Sequence, residues 1–497
     1  MILKTVIKFF ALIQHYKNSF WIKNPHKAQQ KTLNYLIEKA KNTKFGIEHN
    51  FDKIFNHHDF TNYVPVRDYE KIKSYIEKVK NGEPNILWLG KPLYFSKTSG
   101  TTSGVKYIPI SKESISSHIN SARDAILSYI YYSGNAKIFF GKQIFLQGSP
   151  TLEKINGIKI GRLSGIVAHH VPKYLQKSRM PSWKTNCIGD WEKKVEKIIE
   201  ETLDENMTII GGIPPWVQMY FEKIKQKTNM PISKVFKKFS LFVYGGVNFE
   251  PYKNIFESLI GKKIDTIELY PASEGFFAYQ DVPGRKDLLL VLNNNIFYEF
   301  IELEHFKKKK LKRVMLKDVL IKKDYVMIVS TNAGLWAYNV GDTIRFTSLK
   351  PFRILVTGRV KHFISAFGEH VIGKEVETAL NKTLQNTDVK VVEFTVAPKN
   401  NPESGLPHHE WFIEFNSSPK NLSEFSRKLD VSMQEENIYY KDLISGKILK
   451  PLVVRKVTKN GFNIYMKNIG KLGGQNKLPR LSNDRSVVEK LKIHNEI

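Results

Sequence analysis

Residues 264–275 read Ile-Asp-Thr-Ile-Glu-Leu-Tyr-Pro-Ala-Ser-Glu-Gly, an apolar run closed by a tyrosine, a proline, a serine and an acid. The run from 264 to 269 has the length of a buried strand, and the proline and glycine behind it end the strand in a turn. In an open α/β sheet such a turn lies outside the carboxyl ends of the strands, where these sheets bind ligands. Tyr270 offers a ring to stack on a base. Glu274 offers a carboxylate to Mg²⁺, which takes one or two carboxylates together with phosphate oxygens. A plain strand-to-hairpin turn with a solvated acid accounts for the same residues.

Similar short apolar runs at 143–146, 207–210, 241–244, 326–329 and 352–356 read as strands, and they alternate with helical spacing at 191–203 and 215–227. That alternation predicts an α/β fold, with mixed sheets covered by helices. The first hundred residues read as largely helical, with Leu33, Leu36, Ile37 and Ala40 on one face before Gly46 closes the run. A second helix starts at Ser111, whose hydroxyl caps it. It carries Ile115, Ile119, Ala122, Ile126 and Ile130 on its apolar face and stops before Gly134. Residues 279–290, with Pro283 and Gly284 at the bend, predict a hairpin. A boundary after Gly358 and Arg359 divides the chain into a large N-terminal domain (1–360) and a smaller α+β C-terminal domain (361–497). The latter has a helix at 373–383 and strands at 391–397 and 411–415.

At 497 residues and 41% hydrophobic content, two or three packed domains are expected, because single cores stop growing near roughly 250–300 residues. Cys187 is the only cysteine, which excludes an internal disulfide and a Cys-based metal cluster and favours a cytoplasmic setting; it reads as an incidental buried thiol. The apolar stretch 6–13 is interrupted by Lys8 and has no small-residue cleavage site after it, so it fits neither a secretory signal nor a membrane span. A peripheral membrane contact stays open. The net charge of +29 raises nucleic acid or anionic lipid as a partner, but the excess is spread along the chain. Its one dense run, Lys307 to Lys310 with Lys312 and Arg313, reads as a solvated hairpin tip. No zinc-finger spacing, basic heptad helix or aromatic RNA-binding motif goes with it, so no specific nucleic-acid partner is expected, and the expected state is a monomer or weak dimer.

Residues 97–111, KTSGTTSGVKYIPIS, hold two glycines, five hydroxyl side chains from Thr98 to Ser103, no acid, and Lys106. Glycine lets backbone amides turn inward around a polyphosphate, hydroxyls add uncharged donors, and the lysine adds a compact cation. The spacing Gly100-x-x-x-Gly104-x-Lys106 is not that of a P-loop. A flexible turn explains it equally well. Farther on, Tyr338-Asn-Val-Gly-Asp342 follows the turn 331–334 and offers an acid for the two hydroxyls of a ribose, as acids do in dinucleotide sites; an ordinary β-turn has the same composition. Gly358-Arg359-Val-Lys361 then offers a fixed cation behind another strand.

In their order along the chain these segments resemble the adenylate-forming superfamily of acyl and aminoacyl activating enzymes, luciferases and CoA ligases. Within it the chain is most similar to the Gretchen Hagen (auxin-responsive) acyl-acid amido synthetases and their bacterial relatives. The resemblance also takes in Ala40-Lys-Asn-Thr-Lys-Phe-Gly46, Val64-Pro-Val-Arg-Asp-Tyr69, Gly212-Ile-Pro-Pro-Trp216, Tyr244-Gly-Gly246, Gly334-Leu-Trp-Ala-Tyr-Asn-Val-Gly-Asp342 and Gly473-Gly-Gln-Asn-Lys-Leu-Pro-Arg480.

It implies an ATP- and Mg²⁺-dependent ligase that adenylates a carboxylic acid and passes the acyl group to an amine such as an amino acid. By resemblance, Thr98, Ser99, Gly100, Thr101 and Thr102 would cradle the ATP phosphates, and Gly245, Gly246, Tyr270 and Ser273 would border adenine and the acyl carboxylate. Glu274 would meet Mg²⁺, and Asp342 and Arg359 the ribose. Lys361 would mark the hinge of a mobile C-terminal domain, and Lys477 would reach the carboxylate and α-phosphate. Pro271-Ala272 in place of Ala-Ser, and Asn339 in place of a basic residue, depart from the family pattern. His169 and His170, like His408 and His409, read as surface or packing residues, with a place near an acyl pocket as the alternative for the first pair. A CoA ligase and a non-catalytic nucleic-acid or membrane-surface binder are the rival readings.

Overall fold

The computed structural model describes residues 2–101, 104–247, 249, 252–360, 363–364, 366–369, 371–469 and 478–493. Two compact units result: Met1–Gly189, Lys194–Gly246 and Asn254–Val360 in the first, and Asp190–Lys193, Val247–Lys253 and Lys361–Ile497 in the second.

The first unit opens with α1 (Ile2–Lys23), α2 (Pro25–Ala40), α3 (Lys44–Glu48), α4 (His57–Tyr63) and α5 (Tyr69–Lys80). Leu33, Leu36, Ile37 and Ala40 are buried on α2, as their spacing requires. Gly46 does not close that helix. It lies within α3, where a Cβ would collide with the Ala40 carbonyl oxygen; only glycine lets α3 fold back on the end of α2. Helix α6 (Lys112–Ser133) begins with a capping box in which Ser111 Oγ accepts from Ser114 N at 3.0 Å, and it ends at Gly134 with φ 67°. Both ends match the sequence signals.

Its strands, in chain order, are β1 (Tyr94–Thr101), β2 (Gly104–Ile110), β3 (Lys142–Leu146), β4 (Glu153–Ile155), β5 (Ile158–Gly161), β6 (Arg179–Met180), β7 (Met207–Gly212), β8 (Leu241–Gly245), β9 (Asp265–Ala272), β10 (Gly275–Tyr279), β11 (Leu288–Leu290), β12 (Ile296–Glu302), β13 (Asp324–Thr331), β14 (Tyr338–Leu349) and β15 (Phe352–Arg359). They build a four-stranded sheet, β2-β1-β5-β4, and an eleven-stranded sheet, β12-β13-β14-β15-β11-β10-β9-β8-β7-β3-β6. From β6 to β9 the large sheet is parallel, because helical crossovers such as Pro214–Thr228 return the chain to the same end. From β9 to β12 neighbours are antiparallel, and the predicted hairpin closes β10 on β11 through Ala278↔Leu290.

Alternate residues of β8 serve opposite faces. Leu241 and Val243 enter the core that α1, α2 and α6 cover, while Phe242 meets Phe256, itself packed on Phe221 of the Pro214–Thr228 helix. The basic run is not a bare hairpin tip. The chain leaves β12 through a helical turn, Leu303–Lys307, and returns antiparallel at Phe300↔Val314. Lys307 to Lys310 are exposed, but Arg313 turns inward and donates to Glu299 Oε2 at 2.9 Å and to the carbonyls of Thr61 and Val64. Glu299 is wholly buried and requires such a partner. Cys187 is half-buried rather than buried.

The second unit holds β16 (Phe363–Ile364) paired with β17 (Val371–Ile372), and a sheet ordered β18 (Lys390–Lys399), β19 (His408–Ser417), β20 (Val453–Lys456). The helices Gly373–Leu384 and Leu422–Glu436 pack on one another. Trp411 stacks on Phe394 with ring centroids 5.6 Å apart. His408 and His409 are buried in β19, and His409 Nε2 lies 2.9 Å from Glu369 Oε1; both are packing residues, not surface ones. Among the described residues no helix is long and apolar enough to cross a membrane.

Candidate active site

Parallel pairing aligns Gly212 with Tyr244 and Gly245 with Leu269, so β7, β8 and β9 end at one rim of the large sheet. At Gly245 a Cβ would strike the Leu269 carbonyl oxygen, and Gly246, with φ 86°, turns the chain beside Ile213. The end of β8 therefore presents bare backbone, the form in which amides approach a ligand closely. One strand over, β9 turns through Ser273 and Glu274 into β10, with Gly275 opposite Ala272.

Two hydrogen bonds bring distant segments to this turn. Ser273 Oγ lies 2.7 Å from Ser96 Oγ. Ser96 is a wholly buried residue of β1, two positions before Thr98, so β1 is anchored to the same rim just ahead of the hydroxyl-rich segment. Thr98 to Thr101 continue β1 itself, with Thr98 opposite Lys106 and Thr101 opposite Gly104. The described part of the expected phosphate loop is thus strand. Thr102 lies outside the described residues. Lys106 Nζ stands 5.9 Å from the centre of the Tyr69 ring, and Tyr69 Oη accepts from Tyr107 N at 2.9 Å.

The second bond runs from Tyr270 Oη to Asp342 Oδ2 at 2.5 Å. Asp342 is only 4% exposed. Contrary to expectation it is not at a strand end: β14 begins at Tyr338 and passes through it, and Gly341, with φ 88°, bends the strand while its N–H donates to Asn339 Oδ1 at 2.8 Å. Arg359 is the last residue of β15 rather than following it, and is directly opposite Asp342. In sheet order β14 is four strands from β9. Between them β11, three residues long, holds β15 only at Arg353 and Ile354; beyond it the sheet continues as β12 to β15, with β14 paired to β13 through Val326↔Thr343 and Ile328↔Asn339, and its twist turns β14 toward β9.

The start of β14 is held by Arg67, whose N–H donates to the Ala337 carbonyl at 3.1 Å while its own carbonyl accepts from Asn339 N at 2.8 Å. The segment 64–69 therefore braces the start of β14.

Burial pushes the Glu268 carboxyl up to about 7, a hydrogen bond with Tyr244 opposing the shift. Among the described residues no group of three His, Cys, Asp or Glu side chains could hold a metal by itself. Half-buried Glu274 fits a divalent ion that draws its remaining ligands from phosphate and water. His170 Nε2 lies 2.9 Å from Tyr94 Oη of β1, and His169 Nε2 lies 2.8 Å from the Pro150 carbonyl in the connection before β4. Lys361 and Lys477 lie outside the described residues. Ser96 and Glu268 were not singled out by the sequence, since a lone serine in an apolar strand carries no motif and the titration of Glu268 depends on what buries it.

The N-terminal, central and C-terminal domain models of the GH3 family match residues 19–188, 289–359 and 374–486 in that order. Indole-3-acetic acid-amido synthetase GH3.4 of Arabidopsis thaliana is 21% identical over 89% of this chain and 86% of its own. Jasmonoyl-L-amino acid synthetase JAR4 of Nicotiana attenuata is also 21% identical, over 82% and 83%. Among solved structures, AtGH3.15 acyl acid amido synthetase in complex with 2,4-DB superposes with a TM-score of 0.63 at 18% identity, covering 99% of this chain and 98% of its own. A 2-hydroxyisobutyryl-CoA ligase in complex with 2-HIB-AMP and CoA gives 0.62 at 14% identity, covering 94% and 91%.

Proposed function

Because this chain belongs to the GH3 family, we propose that it is an ATP-dependent acyl-acid amido synthetase: it adenylates a carboxylic acid and passes the acyl group to an amine such as an amino acid. The supporting observation is the pair of hydrogen bonds, Ser96 to Ser273 and Tyr270 to Asp342, which gathers a hydroxyl-rich hairpin, a carboxylate turn and a buried acid at one rim.

A carboxylate is a poor acyl donor because its leaving group is too basic. Its oxygen attacks the α-phosphorus of ATP, pyrophosphate leaves, and the resulting mixed anhydride has AMP as its leaving group. The amine then attacks the acyl carbon, AMP departs with the bonding pair, and the amide nitrogen loses a proton. Little covalent chemistry falls to the protein, so positioning and charge neutralisation carry the rate. Thr98, Ser99, Gly100, Thr101 and Thr102 are the proposed phosphate cradle, Asp342 and Arg359 the ribose partners, and Gly245, Gly246, Tyr270 and Ser273 the border of the adenylate. Bound with the triphosphate, Mg²⁺ would neutralise its oxygens, and Glu274 is the residue proposed to hold it. We assign adenylation to residues 1–360, and to 361–497 a mobile domain with Lys361 at its hinge and Lys477 acting on the carboxylate and α-phosphate. ATP as co-substrate and a single cysteine support a cytoplasmic setting.

ATP–pyrophosphate exchange over a panel of carboxylic acids, followed by trapping with hydroxylamine, amino acids or CoA, tests the proposal. Acid-dependent exchange with amide as the product is expected. Thioester formation with CoA, or no exchange with any acid, would overturn it.

A further inference from the structure

Helix α1 is apolar on two sides, and only one of them is used. On the inner side Ala11, Asn18 and Trp21 are buried, and Gln14 Nε2 donates to Asp124 Oδ2 of α6 at 3.0 Å. Asn18 Nδ2 donates to Tyr279 Oη of β10 at 3.4 Å, so this face is fixed against the first unit. On the outer side Val6, Phe9, Ile13, Tyr16 and Phe20 follow at steps of three and four residues, which lines them up along one face. Phe9, Tyr16 and Phe20 are 58%, 64% and 69% exposed.

Along this stretch of chain the charge is almost all positive, and the acid close to Lys17 is Asp124 of α6, bonded to Gln14 on the inner side. Residues 2–41 carry eight lysines, with Glu38 the one acid, and α1 itself contains no acid. Lys17 and Lys23 are exposed, one turn beyond Ile13 and Phe20, and flank the stripe on its two sides. A second copy docked on the stripe would set lysine against lysine. An anionic lipid surface satisfies both features at once, since it accepts apolar side chains into the acyl boundary and lysines at its phosphates. With four lysines in 22 residues, α1 is a surface helix and not a span.

We propose that α1 binds the surface of anionic membranes, with Val6, Phe9, Ile13, Tyr16 and Phe20 entering the headgroup–acyl boundary and Lys17 and Lys23 meeting lipid phosphates. Flotation of the full chain with vesicles of equal parts phosphatidylglycerol and phosphatidylcholine, and with pure phosphatidylcholine vesicles, tests it. Binding to the anionic vesicles is expected to exceed binding to the neutral ones by about tenfold or more and to weaken in high salt. The double substitution Phe9→Ser and Phe20→Ser should lower it by about tenfold, as should Lys17→Glu with Lys23→Glu, with thermal unfolding midpoints unchanged because all four side chains face solvent. The lysine pair decides the matter if the serine pair fails to fold. No binding by the unaltered chain, binding that survives these substitutions, or a dimer in size-exclusion chromatography that Phe9→Ser with Phe20→Ser dissolves, would overturn the proposal.

Discussion

Asp342 shows how one buried acid organises the site. A carboxylate 4% exposed requires hydrogen-bond partners, and Tyr270 Oη provides one at 2.5 Å. Tyr270→Phe keeps the ring and deletes the donor. A hydrogen bond to a charged group contributes roughly 1.5–3 kcal/mol, so KM for ATP in the exchange assay is expected to rise about tenfold or more; an unchanged KM would detach Tyr270 from nucleotide binding. Glu268 acts through solvation instead. Its folded-state value, about 7, lies above the ordinary carboxyl value. The stability tied to its protonated form is therefore complete below about pH 4.5 and is lost as pH rises toward 7. Glu268→Gln removes that slope: between pH 5 and 8 the unaltered protein should lose about 2 kcal/mol relative to the variant in urea unfolding. Parallel stability curves would sink this account.

Among the elements, the two glycines that flank the start of β14 have different tasks. Gly334 has φ 89° in the turn from β13, and a Cβ there would stand 2.6 Å from Leu87 Cβ and 2.7 Å from its carbonyl carbon. The Leu87 carbonyl also accepts from Trp336 Nε1 at 3.0 Å, so neither partner can yield. Gly341 has φ 88° with nothing within 4 Å. Gly334→Ala should cost about 3 kcal/mol in urea unfolding, and Gly341→Ala about 1 kcal/mol, the cost of left-handed backbone alone. Equal losses would mean that Leu87 moves aside. Helix α6 and strands β7, β8 and β9 were legible because periodicity, a serine cap and a glycine stop are local signals. The extension of β1 to Thr101 was not, since the pairing of Thr98 with Lys106 is decided by the partner strand rather than by a Ser/Thr/Gly composition that favours turns.

For the molecule as a whole, Lys477 is the residue whose proposed role reaches beyond the first unit. Lys477→Ala is expected to lower acid-dependent ATP–pyrophosphate exchange by about a hundredfold or more with the unfolding midpoint unchanged; full exchange in that variant would remove the lysine from the chemistry. The α/β class, the order of the motifs and the family were all readable in the chain, because strand and helix periods, turn residues and motif spacing are written in neighbouring positions. The union of Ser273 with Ser96 and of Tyr270 with Asp342, 177 and 72 residues apart, was not readable. Neither was the burial that shifts Glu268, nor the inward turn of Arg313. These depend on how the twisted sheet carries β14 toward β9 across a short β11, and on which side chains the packed sheet deprives of water. Residues far apart in the chain meet only when the tertiary fold closes, so contact, burial and charge state belong to the structure.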